Sequence, residues 1–292
     1  MKKLHLFYSL IIAVTLFSCT NEEAVDQTIT ASDVAIDSKI DLANDDISDI
    51  VGNQEMATYS NTVSGKEIIT TSTTQSNCAT VTRVPAFGTQ ITPGTQVTKT
   101  IDFGTVNCNL DNGNTVRGKI IISFVFQPAA TSHTITYTFD NFYHNNIKFV
   151  GTKTFTRTMS VASATSVSHP IVTMLLDMTV TFPNGDVYTR VGTRTREIVE
   201  GYTTAPWADN IYQITGNWTT TRPNGSTRTA TITTPLKIRM SCALLQKPLT
   251  VKGIIAFVSG TNTASIDYGN GDCDNVAVLI INGVSSTINI GN

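Results

Sequence analysis

The chain has 292 residues, 14% of them charged, and a formal net charge of −2. That length buries enough surface for one large domain or two small ones. Charge this sparse and dispersed argues against nucleic acid as a partner. The abundance of Thr, Ser, Asn and Gly points to an exported β protein rather than a cytosolic α/β enzyme. The balance is uneven along the chain: from Asn21 to Met56 ten acids face one base, Lys39, whereas from Ala57 onward twelve acids stand against seventeen bases. An acidic leader precedes a mildly basic body.

The chain opens with Lys2 and Lys3, an apolar stretch from Leu4 to Phe17, and then Ser18-Cys19. This pattern reads as a lipoprotein signal, residues 1–18, whose cleavage leaves Cys19 as a lipidated N-terminus. The apolar stretch is too short, and too closely followed by polar residues, for a membrane span. Several acyl chains, at roughly 0.8 kcal/mol per buried methylene, make a durable anchor.

Residues 19–57 read as an acidic tether. A short helix is expected near Asp45–Val51, where acids in a first turn favour the helix dipole. The other apolar residues of this segment are too few to offset the entropy of ordering it.

From residue 58 to 292 the texture becomes period two. Thr134 to Phe139 alternates without a break, and so does Phe149 to Met159, where Phe149, Phe155 and Met159 share one face and threonines line the other. This is the pattern of half-buried antiparallel strands. Pro183-Asn184-Gly185 and Pro223-Asn224-Gly225 sit between alternating runs as type I′ hairpin signals; Asn112-Gly113, His144-Asn145-Asn146 and Asn282-Gly283 read the same way. The body is therefore predicted to be all-β, an antiparallel hairpin meander. It buries its apolar face either as a two-layer sandwich, the favoured solution, or as a long twisted sheet curling on itself.

Beyond Cys19 four cysteines remain, and four permit three pairings. Cys78 and Cys108 are 30 residues apart and Cys242 and Cys273 are 31 apart, which favours those two disulfides. An internal echo supports them. Ile101-Asp102-Phe103-Gly104, with Cys108-Asn109, matches Ile266-Asp267-Tyr268-Gly269, with Cys273-Asp274, position for position. It reads as one device used twice, a strand leading into a cysteine-clamped turn, and suggests two related modules with one disulfide each.

The Leu16–Cys19 junction, the acidic leader, the run from Asp102 to Ile122, Asn141-Phe142-Tyr143 and the closing Asp267-to-Asn275 segment together resemble uncharacterised outer-membrane lipoproteins of flavobacteria and related Bacteroidetes. The resemblance spans most of the chain and implies a lipid-anchored place at the outer membrane, facing outward. It implies no reaction. In that group acids shortly after the lipidated cysteine, here Glu22 and Glu23, are similar to a surface-export signal; Thr20 stands where the group carries a basic or amide residue.

No motif for nucleophilic, metal-assisted or phosphate chemistry is present in the sequence. His133, His144 and His169 read as solvated histidines near turns or strand ends. Asn270 to Asn275 imitates the first half of a calcium loop but lacks the second, and the plain reading is a polar turn. No cofactor, metal or catalytic residue is assigned. Two features suggest ligand contact. Arg190, Arg194 and Arg196 share parity on one predicted strand, and Arg222, Arg228 and Arg239 extend the patch. Such a cationic face suits acidic glycans or phosphates, or else lies solvated with its stems over apolar neighbours. Trp207 and Trp218, with Tyr202 and Tyr212, form an aromatic cluster of the kind that stacks on sugars. The function expected is a non-catalytic surface binding or adhesion module, with a glycan or envelope protein as partner. The alternative is a structural or assembly lipoprotein.

Overall fold

The structure is a computed structural model. It describes residues 26–60, 62–63, 66–67, 78–110, 113–163, 167–204, 206–245 and 247–290. The signal segment and Cys19 lie outside the described residues. Among the described residues no helix is long and apolar enough to cross a membrane.

One helix, α1 (Ala31–Ser60), opens the described chain. A two-stranded hairpin follows, β1 (Thr62–Val63) with β2 (Lys66–Glu67). Then come β3 (Thr80–Val84), β4 (Gln96–Asp102), β5 (Cys108–Asn109), β6 (Thr115–Val125), β7 (Ser132–His144), β8 (Ile147–Met159) and β9 (Pro170–Thr181). The chain closes with β10 (Val187–Glu200), β11 (Ile211–Thr221), β12 (Thr227–Arg239), β13 (Thr250–Ser259), β14 (Asn262–Asn270), β15 (Val276–Ile281) and β16 (Val284–Asn289). Strands β3 to β16 form one 14-stranded antiparallel sheet in chain order, with β5 as a side strand on β6. The all-β meander is as expected, but its apolar face is buried by the second of the two solutions. Among the described residues no second layer of sheet covers it: α1 does.

One helix reaches almost the whole sheet. The Lys99 ammonium of β4 donates to the Gln54 carbonyl at 2.8 Å, Tyr59 stacks on Phe126 just past β6, and Ser48 lies beside Met174 of β9. Arg228 of β12 pairs with Asp37, and Tyr268 of β14 lies within the field of Asp41 and Asp45. Strands about 4.8 Å apart would put β4 and β14 roughly 43 Å from each other in a flat sheet. The sheet therefore curls around the helix, with a concave face toward it and a convex face toward water. Ile40, Ile47 and Val51 of α1 are fully buried in the same core as Ile101, Ile120, Phe149, Val180 and Ile266.

The expected tether is thus corrected. The segment carries a 30-residue helix that forms the centre of the body. Its start is written locally: the Thr30 amide donates to Asp33 Oδ2 at 2.9 Å, and the Asp33 amide donates back to Thr30 Oγ1 at 3.2 Å. This is a reciprocal capping box.

Both disulfides form as paired from the spacing, Cys78–Cys108 and Cys242–Cys273. The echo is one device: the Gly104 and Gly269 amides each donate to the aspartate two residues back at 2.9 Å, and both glycines have positive φ. The copies end β4 and β14, toward opposite margins of one continuous sheet. Turn chemistry differs in detail. Asn145-Asn146 and Asn282-Gly283 have the paired positive φ of type I′ turns, whereas at the two Pro-Asn-Gly loops only Gly185 and Gly225 do. Proline fixes a negative φ at the first central position, which type I′ forbids.

Candidate functional site

The sequence features singled out for ligand contact meet the helix. Asp33, Asp37, Asp41, Asp45 and Asp49 recur every four residues along α1. Four helical residues rise about 6 Å, and two strand residues about 6.6 Å. A row of aspartates at this period can therefore run alongside inward-facing strand positions and stay in step.

It meets arginines. Arg190 pairs with both Asp37 and Asp41; Arg194 is 2.9 Å from Asp41 and 3.8 Å from Asp45; Arg196 is 2.6 Å from Asp49. Arg228 reaches Asp37 at 2.6 Å and Asp33 at 3.1 Å, and Arg222 lies 3.4 Å from Asp33. The Arg190 side chain is 0% exposed and that of Arg194 5%. The surface stripe is accordingly corrected to an internal one, since the guanidinium groups are spent on the chain's own helix. The reason is parity: the face shared by Arg190, Arg194 and Arg196 is also the face of buried Tyr188 and Ile198. Arg239 stands apart from this row, in a shallow depression of about 440 Å³ with Asp209 and Ile211.

The aromatic expectation is corrected likewise. Trp218 is 2% exposed, with the Arg194 guanidinium 4.2 Å and the Arg190 guanidinium 5.3 Å from its ring centroid. Tyr212 lies under Arg196 at 3.8 Å. Trp218 has its space because residue 192 is glycine: a Cβ there would meet Trp218 Cβ at 2.5 Å. Trp207 stands in a short 3-10 turn, Trp207–Asp209, and its side chain lies outside the described residues.

Electrostatics along the row are uneven. Burial raises Asp37, against the pull of Arg190 and Arg228. Half-buried Asp45 is pushed up to about 6: desolvation raises it, Arg194 opposes, and Asp41, four residues back, adds like-charge repulsion. Asp33 is held below the ordinary carboxylate value. Burial raises it, but hydrogen bonds from Thr30 and the charges of Arg228 and Arg222 outweigh that.

Further along α1 the polar contacts continue among apolar neighbours. Lys153 Nζ, fully buried on β8, donates to Asn44 Oδ1. Burial, with Arg194 adding its charge, holds the Lys153 ammonium well below its usual range. Glu55, 1% exposed and raised by burial, is 3.1 Å from Arg157 and 3.9 Å from His133. His144 Nε2 meets Asp46 at 2.7 Å, and His169 Nε2 meets Glu197 at 2.8 Å. The three histidines read as solvated each face a carboxylate. Among the described residues no group of three or more His, Cys, Asp or Glu is placed to hold a metal ion. Asp274 accepts from the Val276 amide at 3.0 Å, as a polar turn does.

The convex face is different in kind. Thr134, Thr156, Thr173, Thr195 and Thr215 are cross-strand neighbours in one row over five strands. Within it the Thr134–Thr156 and Thr173–Thr195 hydroxyls lie 3.3 Å apart. Comparison of the chain with protein-family models, with curated proteins and with solved structures found no match in any of the three.

The helix row could have been found in the sequence. Thr30-x-x-Asp33 is a capping signature, and five aspartates at a strict spacing of four are a helix-period pattern, though in charge rather than apolarity.

Proposed function

We propose that this chain is a lipid-anchored cell-envelope protein, held at the outer membrane through Cys19, whose β body works without catalysis as a binding or adhesion module. The observation that carries the reading is the Leu16-Phe17-Ser18-Cys19 junction behind a basic and apolar leader. Two disulfides suit an oxidising compartment outside the cytoplasm. Because α1 fills the concave face, contact with a ligand falls to the convex threonine rows and the hairpin turns. The helix also shortens the tether. Cys19 and Ala31 are separated by 12 positions (31 − 19 = 12), a reach of at most roughly 40 Å, so the body sits close to the bilayer.

Protease shaving of intact cells tests this, with a Cys19→Ala chain as control. The expected result is cleavage of the wild-type protein on intact cells and release of the control into the soluble fraction. Protection until the outer membrane is opened would sink the surface reading; an unlipidated wild-type N-terminus would sink the anchor.

A second reading, assembly with another envelope protein, is favoured by one feature. The sheet is open, and its edge strand β16 is exposed along most of its length, as strand addition requires. A photo-crosslinker at Ser286 should then capture one envelope protein in stoichiometric amount; no capture under several growth conditions would count against it.

A further inference from the structure

The contact between Asn44 and Lys153 is an uncomfortable one. An ammonium needs three acceptors, and Lys153 Nζ donates to Asn44 Oδ1. Its nearest neighbours on β7 and β8 are aromatic: Tyr137, its cross-strand partner, whose ring centroid is 5.8 Å from Nζ, and Phe155, next inward on β8. The charges of Arg194, Arg190, Asp41 and Asp45 also reach it. Asn44 is 1% exposed, and its Nδ2 has no hydrogen-bond partner. A buried donor left unpaired is costly, and two such liabilities within one contact call for an explanation.

The geometry points to an intramolecular isopeptide bond between Lys153 and Asn44. Lys153 Nζ attacks Asn44 Cγ, a bond forms between Nζ and Cγ, and the bond from Cγ to Nδ2 breaks. One Nζ proton passes to the departing nitrogen, which leaves as ammonia, and the product is a secondary amide. Nothing is oxidised or reduced and no co-reactant is consumed. The reaction needs an uncharged amine, water excluded from the carboxamide, and a carboxyl group to relay the proton. Burial disfavours the charged form of Lys153. Asp41 and Asp45, on the same stretch of α1, are the acids whose charge acts on it. Condensation removes both liabilities together: the amine loses its unmet protons and the orphan amide nitrogen departs. It also joins α1 to β8 covalently across 109 residues of sequence. A pull on the N-terminal side of the helix would then be borne by the sheet through bonded atoms.

Peptide mapping of the purified, folded full chain decides the matter. After reduction, trypsin should yield a branched species joining residues 40–66 to residues 149–157, uncleaved at Lys153 and lighter than the sum of its parts by one ammonia. Lys153→Arg and Asn44→Ala chains should lack it, and Asn44→Asp should give the same link with loss of water. Separate, full-mass 40–66 and 149–153 peptides from the wild type would overturn the proposal without recourse to any variant. So would an ammonia loss with no branched peptide, which a succinimide at Asn184-Gly185 or Asn224-Gly225 produces.

Discussion

The two faces of the sheet differ more than any two stretches of its sequence. Along β10, Arg190, Gly192, Arg194 and Arg196 point to the helix, while Thr189, Val191, Thr193 and Thr195 point to water. The charged residues of the strand are mostly inside and the neutral hydroxyls outside, a reversal of the usual arrangement. It holds because the helix supplies a carboxylate for each buried guanidinium. Burying an ion costs several kcal/mol unless a partner and good hydrogen bonds compensate. An arginine row in a core therefore implies an acidic row in the same chain. Five of the ten acids between Asn21 and Met56, Asp33, Asp37, Asp41, Asp45 and Asp49, form that row.

The comparison breaks most severely at Arg190, which serves Asp37 and Asp41 together. An Arg190→Met chain keeps most of the stem's bulk but takes one of two guanidinium partners from each carboxylate, leaving Asp37 to Arg228 and Asp41 to Arg194, at an expected cost of about 3 kcal/mol in urea unfolding. A variant as stable as the wild type would mean that the buried row contributes geometry and no stability. Next is Gly192, whose missing Cβ leaves room for Trp218. Gly192→Val should cost roughly 1–3 kcal/mol through overpacking. In a Trp207→Phe background, which leaves Trp218 as the sole tryptophan, it should also shift the emission of the indole. Unchanged emission would show that the tryptophan is not seated against residue 192.

These residues also show how far the sequence could be read. Alternation gave the strands and their parity, so it placed Arg190, Arg194 and Arg196 on one face correctly. Parity alone does not say which face is wet. The apolar members of that face, Tyr188 and Ile198, carried the answer, but three like charges outweighed them. The disulfides were legible because two loops of matching length repeat a turn motif. The helix was not. Its apolar residues, Ile40, Ile47, Ile50 and Val51, are diluted by aspartates that are themselves inward-facing, so an apolar periodicity test sees only a tether. Sandwich and curled sheet present the same strand pattern, and only the missing helix separates them.

Asp45 and Asp33 sharpen the comparison by pH, at about 1 kcal/mol each or less. Folded Asp45 keeps its proton up to about 6, against 3.8 for an unperturbed aspartate. Between those values the folded chain binds more protons than the unfolded one, so this group's contribution to stability falls as pH rises. Asp45→Asn should thus be slightly more stable than wild type at pH 7, and the gain should vanish below about pH 4; water at this half-buried site keeps it small. Asp33 has the opposite sign. Its folded value is lowered, so its contribution is present at pH 7 and lost as pH falls through that value. Asp33→Asn should lose about 1 kcal/mol at pH 7, part of it as a weakened cap, and the deficit should narrow in acid. Parallel pH profiles for the two variants would overturn this assignment.

The smallest effect tests the convex face. Thr195 sits between Arg194 and Arg196 in sequence and on the other side of the sheet, 3.3 Å from the Thr173 hydroxyl. Thr195→Ala removes one half-buried cross-strand contact, so stability should move by no more than about 0.5 kcal/mol, against the several kcal/mol expected five positions earlier. That near-neutrality makes the position useful. A Thr156→Lys/Thr195→Lys chain places charge in the middle of the hydroxyl row without touching the helix. Retained stability with lost adhesion or glycan retention would assign binding to the convex face. Retained stability with full adhesion would move the contact to the hairpin turns or to the β16 edge.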